Sequence, residues 1–193
     1  VLRETAMGLV LRKAPPPTPG EHAAMIGAAL AHQLTLGITS TTDAGVSPEL
    51  LEVYRQMDGD GRLECRVNVM ALVMVDGVGP VPPPDRRHVT DRLRIDTVKC
   101  FADGGLSGAT AALGVPYRHA DTRGVLRVTA HELVEITRGP HRAGWRVATH
   151  AIGVEAIEHV LEAYDPLGPG PVRHRIEHFG LGRYGDPIDA DGH

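Results

Sequence analysis

Three side chains that can bind or react come at the ends of apolar, strand-like segments. Lys99 lies in a run of β-branched and apolar residues that stops at the turn sequence Asp103-Gly104. His150 and His178 each end a later segment of the same kind. Barrels of parallel strands gather their chemistry at the carboxyl ends of those strands. We therefore expect these three side chains to converge on one site.

The residue types favour a metal site. Neutral imidazole binds Zn²⁺ at about 2.0–2.1 Å, and a catalytic zinc ion keeps one position open for water. A bound metal ion lowers the pKa of that water to about 7, which makes hydroxide available at neutral pH. Carboxylation by CO₂ would turn the amine of Lys99 into a carbamate, whose oxygens can bridge two metal ions ~3.5–4 Å apart.

Each residue also has a simpler explanation. A histidine at a strand end can be a hydrogen-bonded structural residue, and Lys99 can be a partly exposed lysine or an ion-pair partner of Asp103. His174 is the alternative to His178, which we prefer because it ends the strand. Three such residues in corresponding positions favour a shared site more strongly than one residue would.

Three acidic residues near these segments are assigned structural roles first. Asp43 and Asp103 each precede a turn sequence, so we expect turn or cap residues, with contact to the site as the alternative for Asp43. Glu177 is expected to pair with Arg173 or Arg175 on the other face of its strand.

The order of the elements predicts the fold. Helical patterns cover residues 2–13, 18–36, 47–57, 129–138 and 154–164, with Gly139-Pro140 expected to break or kink the fourth. Strand patterns cover 38–42, 66–75, 92–101, 145–150 and 172–178, and a long loop covers 104–124. Alternation of this kind implies parallel strands covered by helices, in a TIM barrel or an open doubly wound sheet. We expect residues 1–180 to be part of one domain and the polar tail 181–193 to be poorly ordered.

Composition limits the classes of partner. The formal charge is −4 and aromatic residues make up 4% of the 193 residues, so we expect no nucleic acid and no membrane as partner. No apolar run approaches the ~18 residues of a membrane span. The two cysteines, Cys65 and Cys100, fit a reducing, cytoplasmic location. A homo-oligomer is compatible with these properties.

Several segments resemble amidohydrolase family 3, a branch of the amidohydrolase superfamily that includes proteins like N-substituted formamide deformylase. Segments 2–6 and 37–45 contribute, and they occur in the family's order. The most specific segments are Val98-Lys99-Cys100-Phe101-Ala102-Asp103-Gly104, His150-Ala151-Ile152-Gly153 and Arg175-Ile176-Glu177-His178. The resemblance covers about residues 1–180.

The resemblance implies a partial (β/α)₈ barrel comprising about strands 2–6, from the centre of a metal-dependent hydrolase. It implies that Lys99 is a carboxylated bridging lysine and that His150 and His178 are metal ligands, so these three residues form the catalytic site. It implies one or two divalent metal ions, with zinc expected, and a small-molecule substrate with an amide-type, non-peptide C–N bond. The isolated fragment is expected to be inactive.

The chain also departs from the family pattern. The His-x-His of the first strand and the late-strand Asp are absent, Val154 stands where the family often has Asp, and segment 105–110 lacks a common arginine. The alternative function is therefore a catalytically degenerate barrel, or an inactive fragment, that binds a small molecule or another subunit.

Overall fold

The structure, a computed structural model, describes residue 10 and residues 13–75 and 79–181. Most of the predicted helix 2–13 and of the predicted tail 181–193 lies outside these residues. Within the described part of the chain, no helix is long and apolar enough to cross a membrane.

The helices are α1 (Pro19–Thr35), α2 (Pro48–Gly59), α3 (Ala130–Arg142) and α4 (Val154–Tyr164). Short 3₁₀ helices cover Leu106–Gly108 and Asp165–Leu167. The long strands are β1 (Ser40–Val46), β2 (Arg66–Leu72), β6 (Leu93–Phe101), β7 (Arg146–Ala151) and β8 (Arg175–His178). Three two-residue strands are β3 (Met74–Val75), β4 (Gly79–Pro80) and β5 (His88–Val89).

The chain forms two compact units, one that ends at Lys99 and one that begins at Cys100, so strand β6 contributes residues to both. In the first unit β2 pairs in parallel with β1 and with β6. In the second unit β7 pairs in parallel with β8. The fold class is α/β and corresponds to part of a TIM barrel, as the sequence predicts.

Local signals in the sequence explain why the helices begin where they do. The Thr18 side chain accepts from the Glu21 backbone amide, and the Glu21 carboxylate accepts from the Thr18 amide, which forms the predicted capping box of α1. Thr129 and Glu132 form the same box at the start of α3. These caps satisfy amides that the first turn of a helix leaves without partners.

The first strand differs from the prediction, because β1 continues through Asp43-Ala44-Gly45. Asp43 is therefore a strand residue and not a turn residue. It pairs with Val69 of β2, and its carboxylate accepts a hydrogen bond of 2.7 Å from the Tyr54 hydroxyl. Parallel pairing with β2 overrides the local preference of this sequence for a turn.

Two further boundaries are corrected. Helix α3 is not broken at Gly139-Pro140 and continues to Arg142. Pro140 lies in the last turn, where few backbone hydrogen bonds remain to be lost, and its side chain is buried. Strand β8 is shorter than predicted and begins at Arg175, because only residues 175–178 pair with β7.

Candidate metal centre

The two predicted histidine ligands lie side by side in the second unit. His150 is near the end of β7 and His178 ends the neighbouring parallel strand β8, where it pairs with Ala151. The centroids of the two imidazole rings are 4.6 Å apart and the rings are inclined by 69°. Only 13% of the His150 side chain is exposed, whereas His178 is exposed and has a φ of 71°. The structure thus brings together the two imidazoles that the sequence predicts to meet.

Hydrogen bonding on the other face of β7 fixes the direction of His150. Neighbouring residues of a strand point to opposite faces. The Thr149 hydroxyl lies 3.0 Å from Cys100 Sγ and 2.7 Å from the hydroxyl of Tyr164, the last residue of α4. His150 therefore points away from the face that α4 covers.

The hydrogen bond of His150 assigns the proton on its ring. Nε2 lies 2.8 Å from the carbonyl oxygen of Gly104. Because a carbonyl oxygen can only accept, Nε2 must donate and therefore carries a hydrogen. In the neutral ring the lone pair is then on Nδ1, which is the nitrogen able to bind a metal ion.

Phe101 lies beside His150, and Arg127 lies over Phe101. The ring of Phe101 lies 5.4 Å from the imidazole, centroid to centroid. The guanidinium carbon of Arg127 lies 5.5 Å from the centroid of the Phe101 ring, within the range of a cation–π contact. Arg127 thus places a cation against the Phe101 ring, and no sequence motif indicated it.

Asp103 has a larger role than the predicted turn. It is completely buried. Its Oδ2 accepts hydrogen bonds from the amides of Ala112 (3.0 Å) and Gly153 (2.8 Å). Its Oδ1 accepts from the amide of Ile152 (3.1 Å) and lies 3.3 Å from Nε2 of His150. One carboxylate thus joins the loop after β6 to the residues that follow His150.

A close backbone contact explains Gly153. A Cβ at this position would overlap the carbonyl of Ala112. That carbonyl accepts a hydrogen bond of 3.1 Å from the amide of Glu155, in the first turn of α4. The loop 104–124, which the sequence marks as functional because of its length, is therefore fixed to the start of α4 through Ala112.

Lys99 is buried, with 2% of its surface exposed, so the interpretation as a partly exposed strand lysine is wrong. Its carbonyl accepts a hydrogen bond of 3.0 Å from the amide of Val73. Lys99 is the last residue of the first unit, and its convergence with His150 and His178 stays a prediction.

His174 is engaged in other bonds and does not replace His178. Its Nδ1 accepts a hydrogen bond of 3.1 Å from the amide of Val147, and its Nε2 lies 2.9 Å from Nδ1 of His141. Burial, and then the charges of His141 and Arg146, lower the pKa of His174, which favours its neutral form. His141 carried no signal in the sequence, because its partner is 33 residues away.

The predicted ion pair between Glu177 and a neighbouring arginine is confirmed. Glu177 pairs with Arg175, whose Nε lies 2.7 Å from Oε1 of the carboxylate.

Among the residues that the structure describes, no three histidine, cysteine, aspartate or glutamate side chains are grouped so that they could hold a metal ion. The described residues thus provide two adjacent imidazoles rather than a complete set of ligands from these residue types.

A cavity of about 500 Å³ lies elsewhere, in the first unit. It is bordered by α2, the end of β2 and residues 82–86. Lys99 does not line it, so we do not assign it to the site.

Solved structures resemble this chain over most of its length. A metal-dependent hydrolase of Pyrococcus horikoshii OT3, described as uncharacterized, is 32% identical with a TM-score of 0.74, over 86% of this chain and 34% of its own. A hydrolase of Pyrococcus furiosus with the same description is 29% identical with a TM-score of 0.78, over 94% of this chain and 38% of its own. The chain thus spans little more than a third of either protein.

Sequence comparison agrees with the structural one. A Bacillus subtilis (strain 168) protein, YtcJ, whose name describes it as an amidohydrolase, is 41% identical over 78 residues, which are 40% of this chain and 15% of YtcJ. The model of the amidohydrolase family matches residues 1–185. The chain therefore belongs to the amidohydrolase family.

Proposed function

We propose that the whole protein is a metal-dependent hydrolase that cleaves an amide-type, non-peptide C–N bond, and that Lys99, His150 and His178 are its metal ligands. The observation that carries this proposal is the 4.6 Å contact between the imidazoles of His150 and His178 at the ends of parallel strands. Membership of the amidohydrolase family and the likeness to two metal-dependent hydrolases support it.

The chemistry of the donors fits a divalent metal ion. The lone pair on Nδ1 of His150 is available, because Nε2 donates to the Gly104 carbonyl. Imidazoles suit zinc in particular, which is the metal that we propose. When bound, the ion would lower the pKa of a water molecule to about 7 and polarise the carbonyl of the substrate.

The residues of this chain hold and surround that centre. His150 is held by the Gly104 carbonyl, and Phe101 covers one side of its ring. The carbamate that we propose would form when the buried amine of Lys99 reacts with CO₂ in its uncharged form. We propose a small-molecule amide as substrate and no nucleic acid or membrane as partner. The two free, buried cysteines agree with a cytoplasmic location.

The test is the metal content of the full-length protein. We expect stoichiometric zinc in the wild type and a loss of at least one equivalent in His150→Ala and in His178→Ala. His131→Ala, a change at an exposed position of α3, is the matched control and should keep the wild-type content.

Two results would defeat the proposal. Wild-type metal content and activity in both ligand variants would remove the histidines from the site. A folded wild-type protein without stoichiometric metal would instead favour the alternative, a degenerate barrel that binds a small molecule or another subunit.

A further inference from the structure

We propose that Asp103 is a positioning residue for His150, which it holds with Nε2 protonated and Nδ1 directed toward the metal. The part of this proposal that concerns the metal rests on the proposed function. The part that concerns the ring does not, because it follows from contacts within the second unit.

The two carboxylate oxygens of Asp103 have different surroundings. Oδ2 accepts from the amides of Ala112 and Gly153, so it joins the loop to the start of α4. Oδ1 accepts from the amide of Ile152 and lies 3.3 Å from Nε2 of His150. The first oxygen therefore has a structural role, and the second faces the imidazole.

Two acceptor oxygens lie near Nε2 of His150, and its hydrogen bond goes to one of them. The Gly104 carbonyl is the nearer one at 2.8 Å, and Oδ1 of Asp103 is at 3.3 Å. Both acceptors favour the ring with hydrogen on Nε2, and neither accommodates a bare Nε2. The Gly104 carbonyl therefore holds the ring by its hydrogen bond, and the Asp103 carboxylate favours the same tautomer through its charge.

The charge of Asp103 adds to this effect. The carboxylate is completely buried, and the three amides that bond to it are neutral donors. A carboxylate beside the far nitrogen of a metal-binding imidazole strengthens the ring as a ligand, and loss of such a partner typically lowers metal affinity about 10- to 100-fold.

A purely structural role for Asp103 predicts something different. In that case Asp103 only fixes Ala112 and the start of α4, and its loss lowers stability without a specific effect on the ring of His150. Asp103→Asn separates the two possibilities. The amide oxygen can still accept from Ala112 and Gly153, while the NH₂ group then faces Ile152 and His150 as a donor.

Tyr117→Phe is the matched control. The Tyr117 hydroxyl donates a hydrogen bond of 2.9 Å to the carbonyl of Ala111, so its loss loosens the same loop segment. This bond lies within the loop and leaves the two acceptors of His150 in place. Both variants are made in the full-length protein.

Two measurements are made on the metal-free protein. Titration with Zn²⁺ should give an affinity about 10- to 100-fold lower for Asp103→Asn, and an affinity within about twofold of the wild type for Tyr117→Phe. NMR of protein labelled with ¹⁵N in the histidine rings should show the Nε2–H form of His150 in the wild type and a smaller fraction of this form in Asp103→Asn, where the Gly104 carbonyl holds the ring alone.

The outcomes separate this proposal from the proposed function. An unchanged tautomer and equal affinities in the two variants would overturn the positioning role. If the wild type binds no zinc, the proposed function fails, and the ring spectra alone decide about Asp103. An Asp103→Asn variant that does not fold assigns Asp103 to the structural role and overturns the proposal, as does an Nδ1–H ring in the wild type.

Discussion

The carbonyl of Ala112 packs directly against the α-carbon of Gly153 and leaves no space for a side chain there. Gly153→Ala should therefore lower the free energy of unfolding by about 1–3 kcal/mol or more, as an overpacked site does. Urea denaturation of the full-length protein measures this effect.

Gly27→Ala is the control for this change. Gly27 lies inside α1, and no heavy atom is within 4 Å of the position that an alanine methyl group would take. Alanine should therefore stabilise the helix by about 0.5–1 kcal/mol. Equal stability of Gly153→Ala and the wild type would contradict the close contact with Ala112.

A buried chain of hydroxyl groups supports the face of β7 opposite His150. Burial raises the pKa of Tyr164, so its hydroxyl stays protonated and donates to the Arg175 carbonyl at 3.2 Å. Tyr164→Phe removes one hydrogen-bond partner of the Thr149 hydroxyl. This change should lower the free energy of unfolding by about 1–3 kcal/mol.

A double-mutant cycle tests whether this chain acts as a unit. Thr149→Val and Tyr164→Phe should be coupled by about 0.5–3 kcal/mol, because the two hydroxyls are 2.7 Å apart. Additive effects of the two changes in urea denaturation would show that the hydroxyls act independently.

The lowered pKa of His174 predicts a loss of stability in acid. The unfolded state takes up a proton near the ordinary histidine pKa of about 6.5, whereas the folded state takes it up only at lower pH. The neutral ring of His174 thus contributes to the free energy of unfolding above the pKa of the unfolded state. This contribution is lost as the pH falls from that pKa toward the lower pKa of the folded state. His141, Arg146 and Tyr164 are the groups that face His174.

His174→Asn tests this expectation. Its side-chain oxygen can accept from Val147 as Nδ1 does, but it does not take up a proton in this range. The unfolding midpoint should fall less between about pH 7.5 and pH 5.5 in the variant than in the wild type. An equal fall in both proteins would assign the acid sensitivity to other groups.

Lys99 offers a chemical test of the carbamate. Lys99→Ala should lose metal and activity, and a small carboxylate such as acetate should restore part of both by supplying the missing oxygens. Lys99→Met fills the space of the side chain with an apolar group, so acetate should have no effect there. Restoration in neither variant, with metal retained in both, would exclude Lys99 as a ligand.

Helix starts and strand order could be predicted because their causes are local. The Thr18–Glu21 capping box spans four residues, and alternation of the elements is enough to indicate parallel strands. The turn predicted at Asp43 was wrong because pairing with Val69 decided the conformation, and that pairing is not visible in a short segment.

At the candidate site, too, contacts between distant parts of the sequence could not be predicted. The strand-end positions of His150 and His178 were visible as a pattern, and the structure places the two rings in contact. The role of Asp103 was not visible, because its bonds to Ala112 and Gly153 span 9 and 50 residues. Sequence patterns indicated two imidazoles that lie together, while the groups that hold them depend on tertiary contacts.

Anomalous diffraction at the zinc edge from crystals of the full-length protein tests the proposed metal centre most directly. We predict a peak within about 2.0–2.1 Å of Nδ1 of His150 and of a ring nitrogen of His178. Zinc bound elsewhere, with both imidazoles unligated, would contradict it.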